Sequence, residues 1–199
     1  MSLARLFLLI ALLMGALGQP SQAARTVVVL DPGHGGHDRG AKWGAVSEKA
    51  ITLSIARRVE KYLKARGYAT AMTRRSDVFR SLASRAAVAN GFRRSVFVSI
   101  HCNADPKHAA RGIETFYCGA QGRCLASSIH GNLDSRTSTP NRGIKFRGFA
   151  VLRHTSCPAA LVECGFLTSL KERRLLTTGD YQDRVAKAIA DGIARSLNR

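Results

Sequence analysis

The chain has 199 residues, which is enough for one domain with a sizeable apolar core. Its 31 Lys and Arg against 13 Asp and Glu give a formal net charge of +18, so its partners are expected to carry negative charge. One Trp and four Tyr are too few for the interleaved aromatic residues of a stacking platform, which disfavours nucleic acid as that partner.

The first 23 residues have the layout of a secretory signal peptide. Arg5 precedes an apolar stretch at 6–17, and small residues at 21–23 form a cleavage site. The apolar stretch is too short to span a bilayer, and a short N-terminal anchor is the alternative. We therefore expect an exported, monomeric chain that starts near residue 24 and has no membrane anchor, in the periplasm, the cell wall or the medium.

Export gives the positive charge a specific set of partners. The basic residues are scattered along the chain rather than gathered on one helix. In an exported protein the anionic partners are cell-wall polymers, anionic lipids and lipopolysaccharide, so we expect electrostatic retention on cell-wall polymers. A solvated basic surface that keeps the protein soluble is the alternative interpretation.

The chain also has five cysteines, an odd number that leaves at least one of them free or paired between chains. Export permits disulfides. Cys118 and Cys124 are six positions apart, with Gly119 and Gly122 between them, so a turn could bring them together. The sequence contains no CxxC pair, which disfavours a zinc ribbon and a thioredoxin-like redox site.

Apolar runs and helical periodicity alternate along the rest of the chain. The predicted strands are 27–30, 68–73, 95–100, 112–118, 149–152 and 159–162. The predicted helices are 48–66, 82–90, 124–133 and 181–197, and the polar segment 135–147 is predicted to be a loop. This alternation predicts a single α/β domain, with a mostly parallel twisted sheet of about six strands and helices on both faces.

Side chains that bind metals or transfer protons stand at the ends of these elements. His34 lies on a glycine-rich turn after the first strand, and Glu48 opens the first helix. His101 and Glu163 each directly follow a predicted strand. Because the carboxyl ends of parallel strands meet at one edge of a sheet, we expect these side chains to share one crevice.

Two imidazoles and one carboxylate form the ligand set of a catalytic zinc ion whose fourth position is left for water. We therefore predict that His34, His101 and one of the two carboxylates bind one Zn²⁺, and that the other carboxylate, such as Glu163, is the general base and acid of a hydrolase. The histidines and Glu48 have structural alternatives. A lone His after a strand is often structural, and a Glu at a helix start interacts favourably with the helix dipole.

The same residues belong to a longer series of motifs. The segment 29–36, together with Asp38, Gly40 and the pair Glu48-Lys49, resembles the opening motif of the zinc-dependent N-acetylmuramoyl-L-alanine amidases of the amidase-3 type. Further matches follow in chain order at 73–77, 82–90, 97–104, 112–114, 141–145, 151–153 and 158–166. The resemblance covers about residues 26 to 197.

The resemblance implies hydrolysis of the amide that joins the lactyl group of N-acetylmuramic acid to L-alanine of the peptidoglycan stem peptide. It implies zinc ligation by His34, Glu48 and His101 and catalysis by Glu163. Some family members insert a long autoinhibitory helix, but residues 119–140 leave room here for one ordinary helix. We therefore expect a permanently open site that needs no activator protein.

Muropeptides carry carboxylates, so arginines near the site are candidate substrate anchors. Arg74, Arg85 and Arg153 are the candidates, and Arg153 is preferred because it directly follows a predicted strand. Each has a structural alternative, since Arg85 could simply bridge to Asp31 or Asp77.

Three further residues near the motifs have the chemistry of metal ligands. Cys102 and Cys164 each directly follow a proposed site residue. Side chains alternate across a strand, so we expect both thiols to point away from the site and pack in the core. His37 could be a spare metal ligand, but its glycine-rich loop favours a solvated side chain.

Two other functions compete with the amidase. A different zinc hydrolase, such as a carboxypeptidase or polysaccharide deacetylase, would use the same ligand chemistry on another bond. A non-catalytic cell-wall binder would need no catalytic set, and the presence of all four site residues disfavours it.

Overall fold

A computed structural model describes residues 26–198 of the chain. The signal peptide predicted at residues 1–23 lies outside the described residues. The strands are β1 (Val27–Pro32), β2 (Lys42–Trp43), β3 (Val46–Ser47), β4 (Thr70–Met72), β5 (Ser95–Asn103), β6 (Ile113–Tyr117), β7 (Asn141–Phe146) and β8 (Ala159–Phe166). The helices are α1 (Glu48–Lys64), α2 (Leu82–Asn90), α3 (Ala120–Arg136), α4 (Ala150–Arg153), α5 (Leu170–Leu176) and α6 (Gly179–Leu197).

Six of these strands form one sheet in the order β4-β1-β5-β8-β6-β7. Every neighbouring pair is parallel except β6 and β8, which are antiparallel. The short strands β2 and β3 pair separately as an antiparallel hairpin directly before α1. The predicted mostly parallel sheet of about six strands is therefore confirmed.

Helices cover both faces of the sheet, because the central strands are apolar on both sides. In β1, Val28 and Leu30 join the larger core cluster with α1, α3 and α6, while Val29 faces the smaller cluster. Residues of α2 and α4 close that second face. This layering is the one expected of an α/β domain with a buried, mostly parallel sheet.

Two predicted elements are wrong, and both lie where the apolar signal is short. Strand β7 occupies part of the segment predicted as the loop 135–147. It is an edge strand whose residues are half-buried or exposed, so it lacks an apolar run. The segment 149–152, predicted as a strand, mostly forms α4. A short apolar run does not distinguish a buried strand from a buried helical turn.

Two strands extend further than predicted, and this changes the position of the site residues. His101 lies within β5 and Glu163 lies within β8, rather than just beyond them. The hairpin β2–β3 and the helix α5 were not predicted at all.

In the described part of the chain, no helix has the length and apolarity needed to cross a membrane.

Candidate active site

The turn that carries His34 is held in a strained conformation. β1 ends at Pro32, and His34 follows with a φ of 61°, in the left-handed region that non-glycine residues seldom adopt. Arg85 donates from its guanidinium to the His34 carbonyl at 2.7 Å. Across the turn, the Gly35 amide donates to the Asp38 carbonyl at 2.8 Å. Such strain persists where the surroundings fix it, and here it aims the imidazole at the sheet edge.

Glycines at two positions allow the side chains of the candidate metal ligands to meet. A Cβ atom at Gly33 would lie 2.3 Å from Cε1 of His101. At Gly40, which has a φ of +61°, a Cβ would lie 2.4 Å from Oε2 of Glu48. The glycine-rich motif therefore leaves space that the His101 ring and the Glu48 carboxylate occupy.

The Glu48 carboxylate lies between the two imidazoles. Its Oε2 is 3.1 Å from Nε2 of His34, and its Oε1 is 2.9 Å from Nδ1 of His101. One ligand atom from each residue lies within 4.8 Å of the other two. Two imidazole nitrogens and a carboxylate at this separation are a donor set that suits zinc.

Backbone amides orient the Glu48 carboxylate. The Ala41 amide donates to Oε2 at 2.8 Å, and the Cys102 amide donates to Oε1 at 3.0 Å. Glu48 is also the first residue of α1, where the helix dipole favours negative charge. Burial would raise the pKa of Glu48, but hydrogen bonds to His101 and His34 outweigh burial and hold it well below the usual range.

The same contacts favour protonated imidazoles. Burial alone would lower the pKa of His101, but the hydrogen bond and the charge of Glu48 raise it to about 9. Burial alone would also lower the pKa of His34, but the hydrogen bond and the charge of Glu48 raise it. A metal ion binds neutral imidazole, so metal binding here requires the release of these protons.

Asp38 fixes the orientation of the His34 ring. Its Oδ1 and Oδ2 lie 2.8 and 2.9 Å from Nδ1 of His34. A proton held on Nδ1 by this carboxylate leaves Nε2, which faces Glu48, free to bind a metal. Asp38 belongs to the sequence motif, but this contact was not predicted, although the spacing of four residues from His34 is a usable signal.

Glu163 lies next to His101 in the sheet. The register pairs His101 with Glu163 across β5 and β8, and pairs Glu163 with Glu114 across β8 and β6. Partners in register point to the same face. Oε2 of Glu163 is buried and has no hydrogen-bond partner among residues 26–198. Burial raises the pKa of Glu163 to about 8, against the opposing effect of His101.

Glu114, the carboxylate paired in register with Glu163, already has hydrogen-bond and ion-pair partners. Asn103 donates to its Oε1 at 2.6 Å, and Arg142 donates to its Oε2 at 3.1 Å. Lys145 forms an ion pair with the same Oε2. Of the two neighbouring carboxylates, Glu163 is therefore the one with an oxygen available to exchange a proton.

Two of the three arginine candidates have structural roles. Arg74 and Arg85 are 2% and 3% exposed. Arg74 donates to the carbonyls of Pro32 and Gly33 at 3.0 and 2.8 Å, and Arg85 forms an ion pair with Asp31 at 2.8 Å. The alternative that Arg85 bridges to Asp31 is confirmed, and both side chains brace the turn that carries His34.

The reason for preferring Arg153 is wrong. Arg153 ends helix α4 rather than following a strand, and the His154 carbonyl next to it accepts a hydrogen bond from Asn90, the last residue of α2. The Arg153 side chain is exposed. Its contact with substrate stays a prediction, without the placement at a strand end that motivated it.

The other candidates lie outside the group formed by His34, Glu48 and His101, which is called the ligand cluster below. His37 stacks on Phe79 with ring centroids 4.2 Å apart. Cys102 and Cys164 are buried in the larger core cluster, as expected of packing residues. All five cysteines are free thiols in the described structure, including Cys118 and Cys124.

Comparison with known proteins identifies the family of this chain. The family model of N-acetylmuramoyl-L-alanine amidases (Amidase_3) matches residues 28–195. The N-acetylmuramoyl-L-alanine amidase LytC of Bacillus subtilis is 36% identical over 169 residues, which is 83% of this chain and 34% of LytC. The germination-specific N-acetylmuramoyl-L-alanine amidase of Bacillus subtilis is 35% identical over 85% of this chain and 78% of its own length. This chain thus spans about a third of the first relative and most of the second.

Solved structures show the same fold. The catalytic domain of the amidase CwlV from Bacillus (Paenibacillus) polymyxa var. colistinus superposes with a TM-score of 0.84 at 39% identity, covering 87% of this chain and 98% of that one. The amidase AmiC2 of Nostoc punctiforme gives a TM-score of 0.84 at 37% identity, with the same coverage. By sequence and by fold, the chain belongs to the N-acetylmuramoyl-L-alanine amidase family.

Proposed function

We propose that this protein is a zinc-dependent peptidoglycan amidase that cleaves the bond between N-acetylmuramic acid and L-alanine of the stem peptide. One observation carries the proposal. A His-Glu-His ligand set with atoms within 4.8 Å of one another lies beside a buried carboxylate whose Oε2 has no partner in the described structure. Family membership supplies the substrate class.

His34, Glu48 and His101 are the residues that would hold zinc, and their donor atoms fit the ion. When bound, zinc supplies a Lewis acid that polarises the amide carbonyl and makes water more acidic. Asp38 keeps the His34 ring turned toward the site. The backbone amides of Ala41 and Cys102 do the same for the Glu48 carboxylate.

Glu163 is the proposed proton carrier. Its carboxylate accepts a proton from the attacking water as the new carbon–oxygen bond forms. It then delivers that proton to the amide nitrogen as the carbon–nitrogen bond breaks, so that the stem peptide leaves as a free amine. Its Oε2 is buried without a partner in the described structure, and burial raises its pKa, which makes it a stronger base than an exposed carboxylate.

Digestion of purified sacculi tests this proposal. We expect the zinc-loaded protein to release intact stem peptides that begin with L-alanine, as identified by mass analysis. A chelator should abolish the release and added zinc should restore it. Release that persists with the chelator would overturn the zinc mechanism, and products cut within the peptide or deacetylated glycan would identify another zinc hydrolase.

The site is proposed to be open without an activator protein. The segment between β6 and β7 forms α3, which packs tightly against α6 in the core. A Cβ atom at Gly192 would lie 2.4 Å from the Cα of Ile129. A helix held there is part of the core, which supports activity without a partner. Purified protein that stays inert on sacculi until a second protein is added would contradict this.

Export and electrostatic retention complete the proposal. A relative, the probable cell wall amidase LytH of Staphylococcus epidermidis, supports an extracellular location for this chain. Although the basic residues are scattered along the sequence, Arg57, Arg58 and Lys61 line one groove of about 500 Å³ along α1, which Asp77 also lines. We expect sacculus binding to weaken steeply as salt rises, because exposed charges are screened. Binding that is insensitive to salt would refute electrostatic retention.

A further inference from the structure

A pocket of about 200 Å³ opens directly beside His34 and His101. Its outer wall comes from the end of the loop between β4 and α2 and from the first residue of α2. Phe79, Arg80 and Leu82 are the wall residues. Because the pocket shares two side chains with the ligand cluster, a substrate held in the pocket also reaches the reacting centre.

Two of the three wall residues are apolar although they face solvent. Phe79 is 46% exposed and Leu82 is 54% exposed. Phe79 rests on His37, with ring centroids 4.2 Å apart, which limits where the phenyl ring can go. Exposed apolar side chains grouped at the rim of a reaction site are typical of ligand contacts.

The wall is also held firmly against the turn that carries His34. The Gly36 amide donates to Oδ1 of Asp77 at 2.8 Å, and Lys49 pairs with Oδ2 of Asp77 at 2.6 Å. A Cβ atom at Gly35 would lie 2.2 Å from the Val78 carbonyl oxygen, so the two loops touch backbone to backbone. The pocket is therefore formed before any ligand arrives, which lowers the entropic cost of binding.

Arg80 differs from the other charged pocket residues because its guanidinium has no partner among residues 26–198. Asp31 is paired with Arg85, and Asp38 is hydrogen-bonded to His34. Arg80 is exposed, its carbonyl accepts from Arg85, and its guanidinium makes no hydrogen bond within residues 26–198. An arginine with free donors beside an apolar wall fits a ligand that carries a small apolar group next to a carboxylate.

We propose that this pocket is the stem-peptide subsite. The Phe79–Leu82 wall takes the methyl group of L-alanine, and Arg80 binds the carboxylate of the residue that follows L-alanine. This rests on the proposed amidase function and adds a determinant of specificity to it. Arg80 makes the enzyme prefer stems whose second residue has a free carboxylate over stems in which that group is a carboxamide.

The test uses two synthetic N-acetylmuramoyl dipeptides that differ only in a carboxylate or a carboxamide on the second residue. Zinc-loaded wild type should show a kcat/KM about tenfold higher for the carboxylate, as expected of a charge-assisted hydrogen bond. Arg80→Gln should lose this preference through a higher KM for the carboxylate substrate, with the carboxamide substrate unaffected. Leu82→Ala should lower kcat/KM severalfold on both substrates and keep the preference.

Arg93→Gln is the matched control, because Arg93 is exposed in the turn between α2 and β5, at the opposite edge of the sheet. It should behave as wild type. A wild type without preference, or an Arg80→Gln variant that keeps the preference or loses activity equally on both substrates, would overturn the inference while the amidase function stands. If the wild type cleaves neither the dipeptides nor sacculi, both the inference about Arg80 and the proposed amidase function are overturned.

Discussion

Nδ1 of His34 lies 2.8 Å from Oδ1 of Asp38, within one strained turn of the chain. This contact determines which ring nitrogen faces Glu48, and it also holds a residue whose φ of 61° is unfavourable in isolation. The ligand geometry thus depends on a carboxylate that does not itself belong to the ligand cluster.

Asp38→Asn should weaken zinc binding about 10- to 100-fold, because the amide cannot hold the His34 proton as a carboxylate does. Competition with a chromophoric chelator measures the affinity. Asp183→Asn is the control, since Asp183 contacts Arg58 and Tyr62 on another part of the surface. Equal zinc affinity in Asp38→Asn and Asp183→Asn would contradict the proposed contribution of Asp38.

Gly33→Ala should displace the His101 ring, because the added Cβ would lie 2.3 Å from Cε1. We expect loss of zinc affinity and activity with a far smaller loss of secondary structure, measured by metal titration and circular dichroism. Gly91→Ala tests the same substitution where the nearest atom is 3.5 Å away, and it should bind zinc as wild type does. A Gly33→Ala variant with normal zinc affinity would show that the close approach of Gly33 to the His101 ring is not needed for zinc binding.

Arg85→Met should destabilise the fold by about 3–5 kcal/mol, because it leaves the Asp31 carboxylate buried without its charge partner. Thr73 and Ser99 would still donate to Asp31, so folding should be weakened rather than lost. Urea unfolding measures the difference. Arg93→Met, at an exposed position, should stay within about 0.5 kcal/mol of wild type. A loss of activity without a loss of stability in Arg85→Met would instead favour substrate binding by Arg85.

Glu60 should contribute to stability in a way that depends on pH. Hydrogen bonds from Arg75 lower the pKa of Glu60 from 4.5 to about 2, against burial. The contribution of the Glu60 carboxylate to the free energy of unfolding is therefore complete above about pH 4.5 and is lost as the pH falls toward 2. Because Arg75 is largely exposed, Glu60→Gln should cost only about 1 kcal/mol at pH 7. The difference between wild type and Glu60→Gln should vanish near pH 2, and a constant difference over this range would contradict the linkage.

The candidate site could be predicted from the sequence because its residues follow strong local signals. His34 stands on a glycine-rich turn after an apolar strand, and Glu48 opens an amphipathic helix. His101 and Glu163 come near the ends of apolar strands, although both strands continue through them. Parallel pairing then places these residues at one edge without any knowledge of side-chain contacts.

The features of the structure that were not predicted depend on tertiary contacts. Strand β7 is an edge strand with few apolar residues, so its pairing with β6 is the main observation that identifies it. The short apolar segment at α4 fits two structures equally well. Nothing in the local sequence of Arg74 or Arg85 shows that their guanidinium groups are buried against the carbonyls of the His34 turn.

Zinc titration combined with turnover of Glu163→Gln and Glu48→Gln tests the central claim most directly. Glu163→Gln preserves the shape of the side chain but removes its basicity. We predict that it binds one zinc per chain with the wild-type affinity, while kcat on sacculi falls about 10²- to 10⁴-fold. Glu48→Gln should lose most of its zinc affinity. Wild-type zinc affinity in Glu48→Gln, or wild-type kcat in Glu163→Gln, would contradict the division between a ligand cluster and a separate proton carrier.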